Sequence, residues 1–159
     1  MARIEFYGIE EYFAKLARLG EKTTGVCKRA IYDGAAVLAD AVKAEVQALP
    51  TTDRNAKKGE TQGILEYEKQ GLLDGMGIAR MRDDNGKVET RVDFDGYNRL
   101  KSKRFPNGHP NAMVARSINS GTSMRPKNPF MARAVRKARD KANQAMAARL
   151  DADIEKIMK

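Results

Sequence analysis

The sequence predicts an α+β fold, with a long N-terminal helix and a long C-terminal helix packed on a small antiparallel sheet built around a β-hairpin. Three observations carry this expectation. Between residues 22 and 48, Cys27, Ile31, Ala35, Leu38, Val42 and then Leu49 recur at helical spacing and form one apolar stripe. Between 129 and 157, Val135, Ala138, Ala142, Met146, Leu150, Ile154 and Ile157 form a second. Between them, Val88, Thr90, Val92 and Phe94 alternate with Glu89, Arg91 and Asp93, so one face of a strand is buried and the other wet. The 159 residues suit a single domain, 1–159, with a real core.

In chain order, Ile9, Phe13, Leu16 and Leu19 mark a short amphipathic helix over 9–19. Glu10 and Glu11 lie in its first turn, where the helix dipole favours acids. The helix over 22–48 spans ~40 Å and stops at Pro50, which pushes the preceding residue out of the helical region. Many of its stripe residues are Ala or Val, so a neighbour packs close. Residues 51–63, TTDRNAKKGETQG, hold no large apolar side chain and read as a long exposed loop. Residues 64–73 have weak helical character broken at Gly71.

Residues 76–82 and 87–94 are the arms of the hairpin. Asp83-Asp84-Asn85-Gly86 is its turn, and Asn-Gly is a strong signal for one. Asp95-Gly96-Tyr97-Asn98 is another turn. Residues 99–109, RLKSKRFPNGH, form a basic, irregular arm. Residues 110–120 read as either a helix, with Pro110 at its first position, or a short strand, and the helix is favoured. A rigid joint follows: Gly121 stops the short helix in the left-handed conformation, Thr122 to Lys127 is polar, and Asn128 caps the last helix with Pro129 at its first position. Phe130 is its expected anchor in the core.

Charge is placed unevenly. Residues 1–50 balance seven cations against seven acids, 51–100 carry nine against ten, and 101–159 carry fourteen against four; together they give the net +9. The excess therefore belongs to the last third. Lys101, Lys103, Arg104, Arg133, Arg136, Lys137, Arg139 and Lys141 are the candidate contacts to a polyanion or an acidic partner. Arg133, Arg136, Lys137, Arg139 and Lys141 crowd the first half of the last helix, where its dipole disfavours them, so the charge is expected to serve a partner.

Catalytic and metal-binding patterns are not evident. His109, the one histidine, lies between Gly108 and Pro110 and reads as an exposed loop residue. Cys27 sits on an apolar stripe and reads as an inert small hydrophobe; one cysteine excludes an internal disulfide. Gly71, Gly75 and Gly77 do not form a phosphate loop and read as a flexible entry to the hairpin. Asp83, Asp84, Asp93 and Asp95 read as turn formers. No cofactor is expected. No run of about 18 apolar residues suggests a membrane span, and the first residues, MARIEFYGIEEYF, do not resemble a secretory signal.

The ordered set of FDGYN (94–98), FPNGHPNAMVARSINSGTS (105–123) and PFMARAV (129–135), behind a helical region closing at Leu49-Pro50 and a glycine-punctuated hairpin, resembles a known family. It is similar to the tail-completion, or head–tail joining, proteins of long-tailed bacteriophages (siphophages), minor tail proteins of the virion neck. The polar stretch 51–63 departs from that pattern. The resemblance implies an α+β subunit of a homo-hexameric ring without catalysis. Such a subunit is made in the bacterial host cytoplasm and placed in the virion. Its partners would be a tail terminator or tail tube protein on one side and a head-completion or connector protein on the other, with non-specific contact to genomic DNA as a further option. The arms 51–63 and 99–109 are then expected to be mobile until docking. Alternatives are a non-specific DNA-binding accessory protein using the basic last third, a tail terminator ring protein, and a basic helix at a membrane; the lack of Trp weakens the last.

Overall fold

The computed structural model describes residues 2–3, 23–52 and 63–158. The helix expected over 9–19 and most of the polar stretch 51–63 lie outside the described residues. The elements are β1 (Ala2–Arg3), α1 (Thr23–Gln47), α2 (Glu66–Gly75), β2 (Met76–Ile78), β3 (Arg82–Asp84), β4 (Lys87–Glu89), β5 (Arg91–Phe94), α3 (Asn111–Ser120) and α4 (Phe130–Met158). The fold is α+β, with two long helices and a small antiparallel strand set.

Helices α1 and α4 run antiparallel. Arg29 meets Asp153 near one end of the pair and Glu45 meets Arg133 near the other. The stripe residues Cys27, Ile31, Ala35, Leu38, Val42 and Leu49 are all buried, as are Ala138, Ala142, Met146 and Leu150 opposite them. Val135 and Ile154 are only half-buried, and Ala134 fills the core position beside Val135. The small residues have a use. A Cβ on Gly34 would lie 2.7 Å from Met146 Cγ, so the Met146 side chain occupies the space that glycine leaves open.

The sheet has the order β1-β5-β2, all antiparallel, with Met76 opposite Phe94 and Ile78 opposite Val92. Val92 and Phe94 point inward onto a core that includes Leu38, Val46, Ile64, Leu72, Val114, Ile118 and Phe130. Phe130 is fully buried and meets Phe94 edge-on at 6.2 Å between ring centroids. Burying one such ring stabilises the fold by about 1.5–3 kcal/mol. This is the expected anchor.

The hairpin is present, but each arm is interrupted. Between the pairs Ile78–Val92 and Arg82–Glu89 the first arm has residues 79, 80 and 81, while the second has only 90 and 91. That extra residue is a bulge, which bends and twists an antiparallel pair. Thr90 Oγ1 donates to Ala79 O at 2.7 Å and Ala79 N donates to Arg91 O at 2.8 Å, so the break is closed. Beyond it, β3 and β4 form a separate two-stranded ribbon. Its turn has Asn85 at φ 52° and Gly86 at φ 86°, the doubly left-handed geometry that matches strand twist.

Helix α2 runs unbroken through Gly71, which corrects the expected break. Gly71 and Gly75 are contact positions and no flexible entry: a Cβ on Gly71 would lie 2.8 Å from Asn111 Oδ1, and one on Gly75 would run into the backbone oxygen of Asp95. Gly77 meets nothing and is free to vary.

Candidate interaction surfaces

The joint between α3 and α4 is built by backbone pairing. Thr122 N donates to Arg125 O at 2.8 Å, Arg125 N donates back to Thr122 O, and Asn128 N donates to Ile118 O. Gly121 has φ 77° and ψ 167°, an extended left-handed conformation essentially confined to glycine. Thr122 is exposed, Pro129 half-buried, and Pro129 O accepts the first helical hydrogen bond from Arg133 N. The cap differs from expectation. Asn128 Oδ1 accepts from Arg133 Nη2 at 2.7 Å, whereas the Met131 backbone N–H is taken by Asn119 Oδ1 of α3 at 3.3 Å. One helix thus caps the next, because the tight turn brings the end of α3 beside the start of α4.

A clamp that the sequence did not reveal fixes the joint to α2. Arg125 donates to Glu68 Oε2 at 2.7 Å and to Ser117 Oγ at 3.0 Å. The same Glu68 oxygen accepts from Leu65 N at the start of α2, so one carboxylate caps a helix and holds a distant arginine.

The structure divides the predicted cations into three groups. Arg133 and Lys137 are paired within the fold. Both donate to Glu45 of α1, at 2.8 and 2.5 Å, and these bonds hold the Glu45 carboxyl below its ordinary range. Arg136, Arg139 and Lys141 are exposed along α4. Lys101, Lys103 and Arg104 are exposed in the loop that precedes α3.

At the far end of the helix pair Arg29 Nε donates to Asp153 Oδ2 at 2.7 Å, with Arg149 and Lys156 beside it. The Arg29 bond holds this carboxyl down as well. Cys27 is buried nearby, and burial pushes its thiol up, which suits packing rather than nucleophilic chemistry.

Among the described residues, two grooves on the surface stand out. The larger, about 600 Å³, is floored by Gly71, Gly75 and Asn111 and flanked by Tyr67 and Tyr97. Asn111 is buried and donates Nδ2 to Asp95 O at 2.8 Å; its Oδ1 faces Gly71 without a hydrogen-bond donor among the described residues. The lining holds no histidine, cysteine, serine or lysine. The smaller, about 360 Å³, is lined in part by His109, Ser117 and Met113. Ser117 Oγ donates to Val114 O while accepting from Arg125, and the His109 ring stacks on Phe105 at 4.8 Å. Neither residue contacts the other as a nucleophile and its base would.

Of the turn acids, Asp83 pairs with Lys28 at 3.1 Å and Asp93 with Arg91 at 3.0 Å. Among the described residues no three His, Cys, Asp or Glu side chains are grouped to hold a metal ion, and no helix is long and apolar enough to cross a membrane. The chain matches no protein-family model, no curated protein and no solved structure.

Proposed function

We propose that the protein is an architectural subunit of a bacteriophage neck, completing the tail and joining it to the head connector as one member of a closed ring, by contact and without catalysis. The observation that carries this reading is the ribbon β3–β4. It lies beyond a bulge, and all of β3 is exposed. Among the described residues neither of its outer edges has a strand neighbour. An open two-stranded edge is a template for a strand of another chain. Its cross-strand pairs, Arg82 with Glu89 and Asp84 with Lys87, are of opposite sign, which keeps the ribbon soluble until it is joined.

The body behind the ribbon is suited to transmit such a contact. Lys28 of α1 pairs with Asp83 on the ribbon, and α1 is locked to α4 at both ends by carboxylate–cation clusters. The ring, the hexameric count and the partners above and below come from the resemblance of residues 94–98, 105–123 and 129–135 to the family described above.

Mass spectrometry of purified particles from the phage whose genome encodes this chain tests the reading. The protein is expected in particles, at the neck in their electron density. Its absence from particles, or turnover of a substrate by the pure protein, overturns the proposal. Replacing Asp83 by Pro on the ribbon is expected to leave the body folded and to stop joining, because Pro removes a ladder donor.

A further inference from the structure

We propose that the loop 99–109 is a nucleic-acid backbone site, in which Arg99, Lys101, Lys103 and Arg104 each meet a phosphate. Residues 96–139 contain eleven lysines and arginines and no acid. Three of the eleven are paired with carboxylates of the fold: Arg125 with Glu68, and Arg133 and the exposed Lys137 with Glu45. The other eight are exposed and carry no ion pair among the described residues, and four of these fall within the six residues 99–104. Like charges crowded together repel, by about 1 kcal/mol for a pair 4 Å apart in water, and among the described residues no ion pair offsets the cost. A bound polyanion would.

The loop is a built frame. Asn98 Oδ1 accepts from Leu100 N at 3.0 Å and from His109 N at 3.2 Å, and Asn98 N donates to His109 O, so one side chain ties both ends. Ser102 and Phe105 exchange backbone hydrogen bonds across the tip. Gly108, at φ 106°, packs against the Asn98 carbonyl where no side chain fits. Arg104 lies 5.5 Å over the Phe105 ring, which also packs on His109.

Nucleic acid suits this frame better than a membrane or an acidic protein. Leu100 and Phe105 are half-buried, so the exposed tip presents charge with no apolar wedge to enter a bilayer. Protein carboxylates must be matched in place, whereas a duplex offers a charge every ~1.7 Å and satisfies four cations in any register. With the Phe105 ring already engaged, contact is to the backbone and independent of sequence.

The proposal goes beyond the architectural reading and does not need it: particle content tests that one, and salt dependence tests this. The experiment titrates the full chain against a fluorescent duplex of arbitrary sequence over a range of potassium chloride. Four phosphate contacts give a slope of log affinity on log salt of about −3.6, so a roughly fourfold rise in salt weakens binding about 150-fold. Lys101→Ala with Lys103→Ala is expected to bring the slope to about −1.8, while Arg136→Ala with Arg139→Ala leaves it unchanged. All four positions are exposed, so both variants keep the fold, checked by circular dichroism. No binding at low salt, a slope unaltered by the loop variant, a slope lost with the helix variant, or tighter binding to phosphatidylserine vesicles than to the duplex would each overturn it.

Discussion

Glu45 and Arg133 are 88 residues apart in sequence and 2.8 Å apart in space, where the carboxyl end of α1 lies beside the amino end of α4. Each is on the wrong end of its own helix. A carboxylate near a helix C-terminus and a cation near an N-terminus each oppose the local dipole by about 0.3–1 kcal/mol. Antiparallel packing reverses the sign for both. The cations of α4 sit beside the last carbonyls of α1, and the acid of α1 beside the first N–H groups of α4. What looked in the sequence like charge reserved for a partner is, for Arg133 and Lys137, charge used by the neighbouring helix.

Glu45→Ala is therefore expected to destabilise the protein by about 1.5–3 kcal/mol, the range for hydrogen bonds to charged groups. Lys137→Glu should also lower stability, by placing two carboxylates together. Urea denaturation followed by circular dichroism measures both, and an unchanged midpoint for Glu45→Ala contradicts the account.

Acid should weaken the helix pair at both ends. Glu45 and Asp153 have carboxyls held below their ordinary values of 4.5 and 3.8. The unfolded chain then takes up protons first as pH falls. The stability these groups contribute is complete above about pH 5, and it declines below the ordinary values until the folded carboxyls are themselves protonated. Glu45→Gln should shallow this acid limb, read as melting temperature against pH.

Gly75 and Gly77 make a matched test of the close approach between α2 and the segment after β5. Gly75→Ala drives a methyl group into the Asp95 backbone and should cost about 1–3 kcal/mol. Gly77→Ala meets nothing and should be neutral or stabilise by up to about 1 kcal/mol. Equal midpoints for the two variants would show that the crowding is relieved at no cost.

The identity of the α4 cap separates two asparagines. Asn119→Ala removes the acceptor of the Met131 N–H and should cost about 0.5–2 kcal/mol. Asn128→Ala loses only a side-chain bond to Arg133, which keeps Glu45, and should cost less. Thermal melts of the two variants decide the order.

Much of the fold was legible because its signals are local. The stripe from Cys27 to Leu49, the Asn85-Gly86 turn, the alternation ending at Phe94 and the anchor at Phe130 each depend on spacing within one segment. The features that were missed depend on neighbours distant in sequence. Gly71 looked like a helix break because nothing near it in the chain shows that Asn98 and Asn111 arrive against it. Asn128 looked like a cap because the competing acceptor, Asn119, lies across a turn. The bulge between Ile78 and Arg82 is invisible until the register of both arms is known. Among the candidate contacts, composition could not show that Arg133 and Lys137 pair with an acid on another helix.

Pro50–Thr52 and Gly63–Ile64 are stitched side by side. Ile64 N donates to Pro50 O and Thr52 N donates to Ile64 O, each at 2.9 Å, in a parallel bridge between Thr51 and Ile64. Lys69 Nζ donates to Leu49 O close by. The two sides of this junction are therefore already held together by backbone hydrogen bonds. Closing a longer span there adds only about 0.6 kcal/mol per doubling of its length. An affinity tag or a fluorescent domain spliced between Thr52 and Gly63 would leave both termini untouched, giving a label that does not disturb either end of the chain.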